Sequence, residues 1–156
     1  AWYWRGLLAL AAGDAGRAEV FLHRAVAPGD GPVPRALAGA VQAGEGWVRL
    51  AAGDTAGALA RLEAGLRAAG YGDQTLSRLV RPTAILHVRL LARRPERRRE
   101  AIDRLRAITD GSLDDPVWVA WWRELGDALA AEGDVRGAAA ARARYAALWA
   151  RADRAR

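Results

Sequence analysis

Three times along the chain a Gly-Asp pair is followed by an Ala at the same offset: Gly13-Asp14 with Ala18, Gly53-Asp54 with Ala58, and Gly133-Asp134 with Ala138. The first two glycines stand 40 residues apart and the last two 80, so a missing copy belongs near residue 93. There the sequence reads Arg93-Arg94-Pro95-Glu96-Arg97-Arg98-Arg99-Glu100-Ala101, a turn-like tract in which Ala101 takes the place of the counterpart alanine. Self-similarity at a fixed period of this length marks a supersecondary unit stacked on copies of itself, here about four of them.

Apolar spacing identifies the unit. Trp118, Trp121, Trp122, Leu125 and Leu129 fall at the spacings that line one face of a helix, whereas strands require alternation. The same period runs into Gly13 through Trp4, Leu7, Leu8 and Ala11, and out of it through Ala18, Phe21, Leu22 and Ala25. Each unit is therefore a helix, a tight turn and a second helix. Glycine suits the C-terminal cap, where positive φ costs it nothing, and the following Asp suits an N-cap, where its carboxylate accepts orphan backbone N–H groups. Longer connections are expected at Pro28–Pro32, Gly70–Asp73 and Thr109–Pro116, with the seventh helix starting at Asp115-Pro116. Pro82 interrupts a helical phase running from Leu76 to Leu90, so a kink or break is expected near residues 78 to 82.

With 156 residues and 52% apolar content, the chain reads as one helical-repeat domain, with units at about 1–27, 34–69, 74–109 and 116–152. No Cys is present, which excludes disulfides, thiolate chemistry and Cys-ligated zinc or iron–sulfur clusters. Neither an uninterrupted apolar span nor a signal peptide is visible, the pattern expected of a cytoplasmic protein that does not enter a membrane. The absence of Met suggests a segment of a longer chain. The absence of Lys and Asn beside abundant Ala, Gly and Arg is the bias of GC-rich coding, as in GC-rich bacteria. That bias weakens the inference from the net charge of +6 to an anionic partner, because all 24 basic residues are then Arg by default.

Catalysis needs a nucleophile, acid or base held beside a partner. The chain offers His23, His87, Ser77 and Ser112, no Gly-x-Ser-x-Gly elbow, no zinc-ligand His spacing and no phosphate-loop ending. The expectation is a protein that is not an enzyme and carries no cofactor or metal. Of seven tryptophans, Trp118, Trp121, Trp122 and Trp149 are expected to point inward, while Trp2, Tyr3, Trp4 and Trp47 are candidates for an aromatic surface.

The whole pattern resembles the tetratricopeptide repeat. Trp122, Leu125, Gly126, Gly133, Asp134 and Ala138 carry the resemblance in the last unit; Trp2, Gly6, Gly13, Ala18 and Ala25 in the first; Gly46, Gly53, Ala58 and Leu62 in the second. Only Ala101 and Leu105 carry it in the third, and the unit is nearer 40 residues than the family's 34. The resemblance implies an all-α, right-handed α-solenoid of about four antiparallel helix pairs. It also implies a concave face built from first-helix positions: Tyr3, Leu7 and Leu10; Trp47 and Leu50; Leu86, Leu90 and Arg93; Arg123 and Asp127. Such a face would hold a protein or peptide with an acidic group near Arg93 and Arg123. Similar arrays form regulatory segments of large bacterial transcriptional regulators and signalling ATPases. Two alternatives stay open. Arg93, Arg94, Arg97, Arg98 and Arg99 would contact phosphates of a nucleic acid or another anionic partner. The Ala-rich last helix, with Tyr145, Leu148 and Trp149, would stack on a second copy.

Overall fold

The recurring Gly-Asp pairs make the same turn each time. In a computed structural model of the chain, which describes residues 1–27, 32–70, 79–111 and 119–154, Gly13, Gly53 and Gly133 adopt φ of 81°, 85° and 88°. A side-chain-bearing residue would lose about 1–2 kcal/mol in that left-handed conformation. The amide of each glycine donates to the carbonyl three residues back, and the amide of each following Asp to the carbonyl five back: Gly13 to Leu10 and Asp14 to Ala9, for example, at 3.0 and 2.9 Å. This pair of bonds is the Schellman closure of a helix C-terminus. The same Asp then caps the next helix. Oδ1 of Asp14, Asp54 and Asp134 accepts the N–H of Arg17, Gly57 and Gly137 at 2.9, 2.8 and 2.8 Å, each cap being worth about 1 kcal/mol.

The resulting helices are α1 (Trp2–Ala11), α2 (Ala15–Ala25), α3 (Arg35–Ala51), α4 (Thr55–Ala68), α5 (Arg81–Ala92), α6 (Arg98–Gly111), α7 (Val119–Glu132) and α8 (Val135–Arg154). Among the described residues there is no strand, and no helix is long and apolar enough to cross a membrane. The chain divides into two compact units, Ala1–His87 and Val88–Arg156, the boundary falling within α5. In the first unit α1 packs on α2, α2 on α3 and α3 on α4, with α1 also touching α3. In the second, α6 packs on α7 and α7 on α8.

Each Gly-Asp pair of helices is closed at a shared register. The residue nine past the turn glycine lies on the glycine seven before it: Leu22 on Gly6, Leu62 on Gly46 and Arg142 on Gly126. A Cβ at those glycines would stand 2.9, 2.8 and 3.0 Å from the side chain above. The alanines at the third repeat register, Ala18, Ala58 and Ala138, are buried against the same seam. Between α3 and α4 the backbones themselves touch, for a Cβ at Gly39 would run into the amide nitrogen of Ala69 and one at Gly65 into that of Ala43.

The connection expected near residue 93 keeps its register but not its chemistry. Ala101 and Leu105 are fully buried, as the other copies require. In place of a left-handed glycine, however, a 3₁₀ turn at Pro95–Arg97 joins α5 to α6. The Arg98 side chain takes over the capping, its Nε donating to the Ala92 carbonyl at 3.1 Å. Pro82 sits in the first turn of α5, after a turn at Leu79 and Val80, so the expected break takes the form of a helix start where a missing N–H is harmless. Thr109, expected to open a linker, lies inside α6 and donates its hydroxyl to the Leu105 carbonyl at 2.9 Å. The helix start expected at Asp115-Pro116, and Trp118, lie outside the described residues.

Candidate binding surfaces

In the first unit the residues expected to line a groove divide by depth. Tyr3 is buried, its phenol donating to the Leu79 carbonyl at 2.5 Å. Desolvation pushes that phenol well above the usual tyrosine range, against a smaller opposing effect from the Thr83 hydroxyl. Leu7 and Leu10 are likewise buried, whereas Trp47, Leu50 and Leu86 are half-buried. In α1 the first-helix positions therefore serve the core, and at Trp47 and Leu50 of α3 and Leu86 of α5 they retain some exposure.

The second unit places Leu90 in its core and leaves Arg93, Arg123 and Asp127 exposed. Arg123 shares the Glu124 carboxylate with Arg89, at 3.1 and 2.6 Å. Asp127 meets Arg142 at 3.3 Å. Arg93 and Arg94 form no ion pair among the described residues. The rest of the arginine tract is largely engaged. Arg97 donates twice to Glu100, at 2.9 and 2.7 Å, and Arg104 holds the other oxygen of the same carboxylate at 2.8 Å. Partial burial opposes the charge on Glu100, but the hydrogen bond from Arg97 and the field of Arg104 outweigh it and hold its pKa below the usual carboxylate range. Arg98 donates to the carbonyls of Ala92 and Ala131 and lies 3.6 Å from Glu132. Arg99, largely exposed, stands 3.9 Å from the same Glu132.

One cluster joins Trp2, a candidate for an aromatic surface, to residues outside the expected set: Arg5, Arg17, Phe21 and Arg24. Trp2 of α1 stacks on Phe21 of α2 with ring centroids 5.6 Å apart. The guanidiniums of Arg5 and Arg24 lie 4.7 and 5.2 Å from the Trp2 centroid, and that of Arg17 lies 5.4 Å from Phe21. Trp4 and Leu8 extend the exposed apolar surface along α1. The sequence carries a signal for this cluster, since Arg17, Phe21 and Arg24 follow one another at helical spacing across the turn from Trp2 and Arg5. Of the tryptophans expected inside, Trp121 is fully buried and Trp122 half-buried. Trp149 instead stands exposed, stacked on Tyr145 at 6.3 Å.

No group of three His, Asp or Glu side chains among the described residues is placed to hold a metal ion. His23 is exposed in the last turn of α2. His87 is buried with its Nε2 3.5 Å from Glu63. Among the described residues, fold and surface together define an all-helical protein whose helices pack on their neighbours. No family model matches the chain, and no curated protein or solved structure matches it.

Proposed function

We propose that the chain is a tetratricopeptide-like helical repeat whose pairs wind into a right-handed solenoid, and that it works as a non-enzymatic scaffold for a protein or peptide partner. A place as the regulatory segment of a larger bacterial transcriptional regulator or signalling ATPase belongs to the same reading. The observation that carries it is the threefold recurrence of one turn and one seam: Gly-Asp closure, an alanine in the joint, and a side chain laid on a glycine across it. Repeats of this kind bury a core through stacking and leave their helix faces for recognition. Peptide recognition is favoured over nucleic-acid recognition because Arg97 and Arg98 are already committed to Glu100, Glu132 and two backbone carbonyls.

Selection of a displayed random-peptide library on the purified chain tests the reading. The expected outcome is enrichment of peptides whose affinity falls when half-buried Trp47 or exposed Arg123 is replaced by Ala, with helicity retained by circular dichroism. Failure to enrich any peptide would remove the scaffold reading.

A further inference from the structure

We propose that the arginine-lined face of the α1–α2 pair docks an acidic peptide segment bearing an aliphatic side chain among its carboxylates. The inference rests on the peptide-binding reading above and adds a place and a partner chemistry to it. On α1, Trp2, Arg5 and Ala9 recur at helical spacing, and on α2 so do Arg17, Phe21 and Arg24, so each set lines one face. The stacked Trp2 and Phe21 rings bring the two faces together. An open cleft of about 380 Å³ runs beside them, walled by Arg5 and Arg17 and floored by Leu8, Ala9, Ala12 and Phe21. Leu8 is 70% exposed, an aliphatic contact with no cover.

Charge selects the occupant. Elsewhere in the same unit the carboxylates of Glu45 and Asp54 each have a cationic neighbour, whereas Arg5, Arg17 and Arg24 form no ion pair among the described residues. Asp14 also lines the cleft, but one of its oxygens is spent on the Arg17 amide. Glu19 lies two residues from both Arg17 and Phe21 and so faces away from them. Three cations thus confront one partly committed carboxylate. A guanidinium already lying on an aromatic ring keeps its N–H edge free for a carboxylate, and little side-chain freedom remains to be lost on binding. Nucleic acid fits this face less well. Bases need an open ring to stack on, and the Trp2 and Phe21 rings are taken up by each other and by the three guanidiniums.

The test is a fluorescence-anisotropy titration of the whole chain with a labelled short peptide of Glu, Asp and Ser containing two leucines. A counterpart in which Lys replaces the acids and a single-stranded oligonucleotide of equal charge serve as competitors. The expected result is saturable binding of the acidic peptide, weakened about tenfold or more in the Arg5→Gln, Arg17→Gln double variant. A charge-matched Arg67→Gln, Arg136→Gln variant should stay within about twofold, since only screened long-range attraction is lost there. Leu8→Ser, a change at an exposed position, should weaken the leucine-bearing peptide and leave a leucine-free one unchanged. Equal binding by the Arg5, Arg17 double variant overturns the proposal while the scaffold reading stands, because peptides selected from the library would then bind elsewhere. Equal binding of the Lys peptide, or displacement by the oligonucleotide at lower concentration, also overturns it. If neither this peptide nor any from the library binds, both readings fall together.

Discussion

The two compact units close the same kind of helix pair with a different balance of means. In Ala1–His87 the seams are made chiefly by removing side chains: Gly6, Gly39, Gly44, Gly46 and Gly65 each sit where a Cβ would strike the neighbouring helix, and a single arginine tie, Arg61–Glu45, joins α4 to α3 among the described residues. In Val88–Arg156 glycine does this once among the described residues, at Gly126, and the helices are tied mainly by arginine, through Arg89–Glu124, Arg98–Glu132, Arg106–Asp134 and Arg142–Asp127. Glycine seams bring backbones into contact and gain dispersion and close packing, but tolerate no added atom. Arginine ties bridge a wider gap with adaptable side chains, and each pair contributes little when exposed. The difference also decides which arginines are free. Where the seam needs none, as in the α1–α2 pair, Arg5, Arg17 and Arg24 lie on aromatic rings with their N–H edges available; where arginine makes the seam, Arg89, Arg98, Arg106 and Arg142 are engaged by carboxylates and only arginines outside it, Arg93 and Arg94 among them, form no ion pair among the described residues.

The largest effect that would break this comparison comes from one methyl group placed at the same repeat position in each unit. Gly46→Ala puts a Cβ 2.9 Å from the Ala58 carbonyl oxygen and the Leu62 amide nitrogen, backbone atoms that can move only if α4 moves. The expected loss is about 2–3 kcal/mol. Gly126→Ala meets the flexible Cγ of Arg142 at 3.0 Å and no backbone atom nearer than 3.5 Å. There the helix propensity of alanine should win, for a gain of up to about 1 kcal/mol. Urea denaturation of the two variants beside the parent measures both, and shifts of the same sign would erase the distinction between the seams.

Next in size is the arginine that replaces a glycine turn. Arg98→Met keeps most of the side-chain volume but leaves the carbonyls of Ala92 and Ala131 without their charged donor and Glu132 without its less exposed partner. With the Arg98 side chain only 19% exposed, a loss of about 2 kcal/mol is expected. Arg24→Met removes only a guanidinium lying on Trp2, and should cost no more than about 0.5–1 kcal/mol. A denaturation midpoint equally lowered by both would show that arginine plays one role throughout.

How much of this was legible follows from how local each interaction is. The Gly-Asp turns were open to reading because closure and cap lie within five residues of the pair, and positive φ leaves glycine as the natural choice. The register of the third unit was legible through Ala101 and Leu105, since burial at a fixed offset survives a change of loop. The role of Arg98 was hidden. Its acceptor on Ala131 is 33 residues away, and a run of arginines reads as solvated charge until the carbonyl facing it is known. Helical phase also misjudged Trp149: Ala138, Ala141 and Leu148 already fill the inward stripe of α8, and the residue after Leu148 is turned about 100° away from it. Tyr3 and Leu7 satisfied the expected offsets yet went to the core, because those offsets specify a face of α1 without saying what covers it.

The smallest effects concern pH, and they should separate the units by sign. Tyr3 belongs to the first unit, and burial raises its pKa above the ordinary value of 10.0. Above that pH the unfolded chain gives up a proton that the folded one keeps, so stability falls as pH rises. Tyr3→Phe should cost about 1 kcal/mol at neutral pH through the lost bond to the Leu79 carbonyl, and should flatten the decline above pH 10. Glu100 belongs to the second unit, and its pKa is held below the ordinary 4.5 by Arg97 and Arg104 against partial burial. Its contribution is present above 4.5 and lost as pH falls through the lowered value. Because 36% of that side chain is exposed, solvent and salt screen the pairing, and Glu100→Gln should cost only a few tenths of a kcal/mol. Denaturation midpoints of the two variants at pH 4, 7 and 10.5 check the signs. A Tyr3→Phe profile parallel to the parent above pH 10 would mean that the phenol is not shut in as the first unit's packing requires, and an unchanged acid limb in Glu100→Gln would mean that the arginines of the second unit pair without stabilising it.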